Sequence, residues 1–275
     1  MIYDAAAELA KLKRTQRTLE RKAKRAKCVT AYSLTTAGNP RKILGRGNKT
    51  DLGLLGKVDT LILYASPADE SGYNLCPWST PGCVDSCLGH SSGRMVFNSS
   101  EVARIAKARW LVEFPAHFKA QLNKEVAAHA RRCAKSGYRA AVRLNGSTDQ
   151  CWEKLIDMEL HPTVTFYDYT KAPLEKRGNN GVLPANYSLT FSYSEAPGSH
   201  AMALQYLAAG HNVAIVTRNK AQSAQLVADG FCGFPAIDGD VSDIRFDDPP
   251  GHWVALYAKG SARKDTSGFV QDIAA

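Results

Sequence analysis

From about residue 59 onward, short apolar runs of strand type alternate with stretches whose apolar residues recur every third or fourth position. The first run is "TLILYAS". The segment "SSEVARIAKARWLVEF" then predicts a helix, with Ser99 or Ser100 as its cap, Glu101 in its first turn, and Val102, Ile105, Ala106 and Trp110 along one face. Pro115 suits the first turn of a second helix, in which Phe118, Leu122 and Val126 repeat every fourth residue. Gly137 can close that helix in the left-handed conformation. "YRAAVRL" predicts a strand, and "CWEKLIDMEL" a short helix with Trp152, Leu155 and Ile156 on one side. The strand "TVTFYDY" precedes a mostly irregular stretch, "TKAPLEKRGNNGVLPAN". The alternation then resumes with the strand "YSLTFSYS", the helix "HAMALQYLAAG", the strand "NVAIVTR" and the helix "AQSAQLVADG". "HWVALYAKG" closes the series, and a short strand fits "GFPAIDGD" before it.

Strands separated by helices favour parallel β/α units. Polar residues gather where the strands finish: Asn145, Ser147 and Asp149; Asp168 and Lys171; Ser194 and Glu195; Thr217 and Arg218; Asp238 and Asp240; Lys259. A β/α barrel builds its site from loops at the carboxyl ends of many strands. An open doubly wound sheet brings ligands mainly to one switch point. The wide spread of polar strand ends therefore predicts an α/β fold, a partial (β/α) TIM-like barrel of about six or seven mainly parallel strands over residues 59–275. A basic helix or tail, 1–30, and an irregular lead-in, 31–58, rich in Gly, Asn, Thr and Lys, precede it.

Composition adds a soluble globular character, with 44% hydrophobic and 22% charged residues in 275. The N-terminus has no apolar h-region, and no run approaches the roughly 18 to 20 apolar residues of a membrane span. The expected location is a cytoplasm. Charge is uneven: residues 1–30 hold nine Lys or Arg against Asp4, Glu8 and Glu20, and so supply most of the net +9. Such a run suits a polyanion, nucleic acid first, because phosphate attraction requires only basic charge. The plainer alternative is a solvated tail.

The seven cysteines change the picture most. "NLCPWSTPGCVDSC", at the start of a loop over 74–94, carries Cys76, Cys83 and Cys87, whereas Cys28, Cys133, Cys151 and Cys232 are scattered. Cytoplasmic thiols stay reduced, so clustered ones point to metal or chemistry rather than disulfides. Thiolates suit iron–sulfur clusters and zinc. Pro77, Pro81 and Gly82 can bend the chain so that the thiols face one point. With His90 the set reads C-x6-C-x3-C-x2-H, an acceptable Cys3His zinc clip. Three thiolates alone can hold three irons of a [4Fe–4S] cluster. Cys133, near a helix's apolar stripe, and Cys151, at a helix start, fit buried packing roles.

A three-cysteine loop after the first strand of a partial β/α barrel resembles the organisation of the radical S-adenosylmethionine superfamily. The usual spacing there is C-x3-C-x2-C; Cys83 and Cys87 match its first two positions, and the third falls at His90. The resemblance implies a [4Fe–4S] cluster on Cys76, Cys83 and Cys87, with a free iron for S-adenosylmethionine. The segments "VRLNGSTD", "FYDYTK", "IDGDVSDIRF" and "AKGSARKDTSGF" also resemble those of a phage-encoded family of mostly unassigned activity, over about residues 60 to 270. That likeness implies a phage origin and a bacterial host cytoplasm.

Two further segments carry candidate chemistry. In "LNGSTD", Gly146 can let the backbone approach a ligand while Asn145, Ser147, Thr148 and Asp149 bind it; the same side chains could instead cap the next helix. Asp238, Asp240, Asp243, Asp247 and Asp248 could hold Mg²⁺, but Asp and Gly also build turns without metal. Walker A, G-x-S-x-G, H-E-x-x-H and the zinc-deaminase pattern are missing. The expectation is an iron–sulfur enzyme that modifies a nucleotide or nucleic acid. Asn145, Gly146 and Ser147 would bind its cofactor, and Asp149, Asp168, Glu195 and Lys259 would serve its chemistry. The alternative is a zinc-clipped nucleic-acid-binding protein without redox chemistry.

Overall fold

In the computed structural model, residues 42–45, 56–91, 95 and 97–273 are described. The basic segment 1–30 and most of the 31–58 lead-in lie outside them. The strands are β1 (Leu44–Gly45), β2 (Val58–Leu63), β3 (Arg139–Arg143), β4 (Val164–Thr170), β5 (Tyr187–Ser192), β6 (Asn212–Thr217), β7 (Ala236–Asp238) and β8 (Trp253–Tyr257). They form one sheet in the order β1-β2-β3-β4-β5-β6-β8-β7. β1 pairs antiparallel with β2, and every other neighbouring pair is parallel. The eighth strand beyond expectation is the two-residue β1, which falls inside the lead-in. From β2 to β6 each new strand adds to the same edge, so no switch point arises there. Among the described residues the sheet stays open, with β1 and β7 as its edges.

The helices are α1 (Pro81–Asp85), α2 (Leu88–Ser91), α3 (Asn98–Glu113), α4 (Pro115–Ser136), α5 (Ser199–Ala208) and α6 (Lys220–Asp229). Strand parity fixes where the long ones pack, because side chains alternate between faces. Leu63, Val142, Leu144, Phe166 and Leu189 join Phe118, Leu122 and Val126 of α4 in one core. Phe191, Val213, Ile215, Trp253 and Ala255 join Ala203, Tyr206 and Leu207 of α5 and Leu226 of α6 in a second. Phe191 pairs with Val213, and Val213 with Trp253, so both cores lie on one face of the sheet. Successive right-handed crossovers in one direction produce this arrangement. On the other face, Val58, Ala141 and Tyr167 pack against Ile244 and Phe246 from the segment after β7.

Local pattern accounts for α4. Pro115 opens it, Phe118, Leu122, Val126, His129 and Cys133 form its buried stripe, and Gly137 ends it at φ +69°. The start of α3 differs from expectation: Phe97 is the cap, through its carbonyl, and Ser99 and Ser100 already lie within the first turn. Its buried residues are Arg104, Ile105, Ala108, Trp110 and Leu111, while Val102 and Ala106 are half-buried. "CWEKLIDMEL" is not a helix but two short 3-10 turns, Trp152–Lys154 and Met158–Leu160. Asp157 accepts a hydrogen bond from Glu159 N at 3.1 Å, starting a separate turn where an α-helix would have continued. No helix among the described residues is long and apolar enough to cross a membrane.

Candidate functional site

The chain leaves β2 at Leu63 and runs across the carboxyl ends of the strands. Hydrogen bonds anchor this passage: Leu75 N donates to Ala68 O at 3.0 Å, and Asp149 N to Leu75 O at 2.9 Å. Thr80 then caps α1, its Oγ1 accepting from Cys83 N at 3.2 Å, with Pro81 at the first helical position. Cys76, Cys83 and Cys87 are all half-buried. Two sulfurs face amide donors: Ala68 N lies 3.3 Å from Cys76 Sγ, and Gly89 N 3.3 Å from Cys87 Sγ.

Burial pushes the Cys76 thiol up to about 12, against the Ala68 amide, and Asp149, Cys87 and Cys83 add to the rise. Burial also pushes Cys87 up to about 11, with Cys83 and Glu70 raising it further while the Gly89 amide and Lys171 pull it down. The three thiols thus share one electrostatic environment. Their sulfurs do not all lie within 4.8 Å of one another. Two thiolates on one tetrahedral zinc stand about 3.8 Å apart, given Zn–S of about 2.3 Å. A cluster spreads its ligands more widely, since each sulfur binds a different iron.

The loop reaches far across the sheet. Gly82 N donates to Glu195 Oε1 at 2.8 Å, and Glu195 Oε2 is buried without a hydrogen-bond partner among the described residues. A Cβ on Gly82 would stand 2.0 Å from Ser267 Oγ and 2.8 Å from Phe269 Cβ, so a glycine is needed for this approach. Gly89 packs likewise on Pro67 and Ser147, and α2 rests on residues 260–264. Cysteine loop, β5 loop and the segment after β8 therefore meet at one rim. Lys171 Nζ donates to Ser192 Oγ at 2.9 Å and sits 5.2 Å from the Phe269 ring centre. His90 belongs to α2, and its side chain lies outside the described residues.

The remaining sequence candidates divide. Asn145 Oδ1 accepts from Thr148 Oγ1, Gln150 N and Trp152 Nε1, each at 2.9 Å, and its amide donates to Gln150 O. That side chain is a brace for its own turn. Gly146 makes room for β2: a Cβ there would lie 2.5 Å from Ile62 Cγ2 and 2.6 Å from Leu63 O. Ser147 Oγ donates to Ala65 O at 2.6 Å. Asp149 Oδ2 accepts from Lys171 N at 2.7 Å, and burial raises its carboxyl above the usual range. Asp168 is buried on the helix-bearing side, accepting from Asn145 N at 2.6 Å and Tyr187 OH at 3.1 Å. Burial pushes it up to about 7, against the Asn145 amide, Arg143 and Arg177. Lys259 pairs with Asp240 and lies over the Tyr257 ring at 4.5 Å.

The other acidic candidates serve local structure. Asp238 accepts from Asp240 N in a tight turn at 2.8 Å, Asp247 pairs with Arg139, and Asp248 pairs with Arg245. Cys151 is half-buried, and Cys232 is exposed. Sequence reasoning missed the buried Arg177 and the half-buried Arg143. Arg177, fully buried, holds Glu153 through two 2.9 Å bonds and also reaches Thr170 and Tyr187. Arg143 stacks over Tyr169 at 4.8 Å, with its Nε buried and unpartnered among the described residues. An arginine amid the apolar run "AAVRL" was the available signal for Arg143; Arg177 sits in a loop and had none.

A family model described as Gene product 88 matches residues 11–273. No curated protein and no solved structure matches the chain.

Proposed function

We propose that this chain, which belongs to the phage-type Gene product 88 family, is a partial β/α-barrel enzyme with a [4Fe–4S] cluster on Cys76, Cys83 and Cys87, acting on a nucleotide or nucleic acid. The observation that carries the reading is the half-buried trio of thiols on the rim loop, two of them facing amide N–H groups at 3.3 Å. Such donors favour the thiolate and tune a cluster's potential. When bound, the cluster would supply single electrons, and its fourth iron would be open to S-adenosylmethionine.

The protein's own residues would do the rest. Lys171 and Arg143 offer positive charge for an anionic group. Glu195, held by the Gly82 amide, would fix the loop's position over the strand ends. Asp168, buried and with its pKa near neutrality, could hold or release a proton through Tyr187. Arg263 and Lys264 are exposed beside a cleft in which Arg218 is paired with Asp272, and these two would attract phosphates.

Anaerobic reconstitution with iron and sulfide tests the reading. The expected product is brown, carries about four irons per chain as the cluster requires, and gives a paramagnetic signal on reduction that Cys83→Ala abolishes. Colourless protein with one zinc and no iron would favour the zinc-clipped binding protein instead. An unchanged cluster signal in Cys83→Ala would remove the ligand assignment.

A further inference from the structure

We infer that Arg143, Lys171, Tyr64 and Tyr169 form a subsite for a phosphate monoester on the inner face of the sheet, so that the substrate is a nucleoside monophosphate and not a polymer. The subsite rests on the reading of the rim as a substrate site and is independent of the cluster. Leu63, Ala65, Val142, Leu144 and Phe166 pack toward the helices. Side chains alternate along a strand, so Tyr64, Arg143 and Tyr169 project from the opposite face. Val142 pairs with Phe166, which makes Tyr167 the lateral neighbour of Arg143 and sets Tyr169 one step nearer the rim. The Arg143 guanidinium stands 4.8 Å from the Tyr169 ring centre and therefore leans rimward. Lys171 follows two residues on, about 6.6 Å further at 3.3 Å per residue. All four side chains are half-buried, so solvent reaches them.

Neither cation is answered by a carboxylate. Arg143 Nε is buried without an acceptor, and the guanidinium has no ion pair among the described residues. Asp243 acts on it only from further off. Lys171 Nζ meets a neutral hydroxyl, Ser192 Oγ at 2.9 Å, and the Phe269 ring. Arg245, which also neighbours Tyr169, differs: it pairs with Asp248 and donates to Ser242 O. The Tyr64 and Tyr169 hydroxyls have no hydrogen-bond partner among the described residues. Charge withdrawn from water without a partner is costly, so this set of donors calls for an anion.

The chemistry of the donors selects the anion. A guanidinium stacked on an aromatic ring keeps its edge free for paired bonds to oxygen. Two cations and two hydroxyls exceed what the single charge and two oxygens of a carboxylate can use. A phosphate monoester brings about −1.5 to −2 charge near pH 7 and three acceptor oxygens. An internal phosphodiester carries one charge and has chain leaving it in both directions. The inner face suits that poorly, because the cysteine loop crosses the strand ends as far as Glu195. A terminal phosphate needs only one way in.

Isothermal titration of the full-length protein with inorganic phosphate and with the common ribo- and deoxyribonucleoside 5′-monophosphates tests the subsite. At least one monophosphate should bind, and its unphosphorylated nucleoside about tenfold more weakly or worse. Arg143→Gln should weaken binding by about tenfold or more, and Lys171→Gln by severalfold. Phosphate should raise the Tm of the unaltered protein above that in chloride at equal ionic strength, and should not raise that of Arg143→Gln. If Arg143→Gln fails to fold, Lys171→Gln, at the half-buried strand end, carries the same decision. Folded protein that binds no monophosphate, an affinity unchanged by both substitutions, or equal affinity for the nucleoside would overturn the subsite. So would tighter binding of an oligonucleotide that lacks terminal phosphates. Binding that falls with Arg263→Gln and Lys264→Gln but not with Arg143→Gln would place the phosphate in the outer cleft and overturn it as well. Iron content and the Cys83→Ala signal are read separately, so failure of the subsite and failure of the cluster are told apart.

Discussion

Arg177→Met removes a guanidinium that is wholly enclosed beneath the rim. Its Nε and Nη2 each stand 2.9 Å from a Glu153 oxygen, Nη1 is 2.9 Å from Thr170 Oγ1, and Nη2 is 2.8 Å from Tyr187 OH. The Glu153 side chain is only 1% exposed, so methionine would leave a buried carboxylate facing apolar atoms. Breaking one side of a buried pair costs about 3–5 kcal/mol. Gly178 N, which donates to Glu153 Oε1 at 2.9 Å, puts the expected loss at the lower end of that range. Against a typical total of roughly 5–15 kcal/mol, such a loss brings the domain close to unfolding. Glu153→Gln neutralises the stranded charge and can keep the Gly178 contact. The double variant should therefore be more stable than the sum of the single losses implies, by about 1–3 kcal/mol. Urea unfolding at pH 7, followed by tryptophan fluorescence and circular dichroism, measures all four corners of the cycle. Additivity within about 0.5 kcal/mol, or a loss below about 1 kcal/mol for Arg177→Met, would refute the claim that the pair acts as a buried unit.

Two other outcomes follow from the same geometry. Folded Asp168 keeps its proton up to about 7, while the unfolded carboxyl titrates near 3.8, so the folded state binds the extra proton between those values and stability falls as pH rises through that window. Asp168→Asn should flatten this decline when unfolding free energies at pH 5 and pH 7.5 are compared; an unaltered slope would count against the buried, protonated carboxyl. Gly82→Ala would press a methyl against Ser267 and Phe269 and push α1 off Glu195, costing about 1–3 kcal/mol. Urea midpoints and iron uptake would both drop, and an unchanged midpoint would mean the loop does not dock at Gly82.

The sequence by itself determined whatever depends on near neighbours. Phe118, Leu122, Val126 and Gly137 specify α4 because a helix reads its own periodicity and stop. The β/α alternation was legible for the same reason, as was the gathering of polar residues at strand ends. "CWEKLIDMEL" misled because helix-forming composition competes with contacts outside the segment: Asn145 takes the Trp152 indole, and Asp157 starts a separate turn. The turn partners of Asn145 were not legible, since a polar side chain in a strand-end loop looks alike whether it meets a substrate or its own backbone. Tertiary structure alone decided the long-range meetings. Glu153 finds Arg177 across 24 residues, and Asp59 finds His129 across 70. No local pattern encodes these pairings, because they arise only when parallel strands and their crossovers bring distant segments to the same end of one sheet.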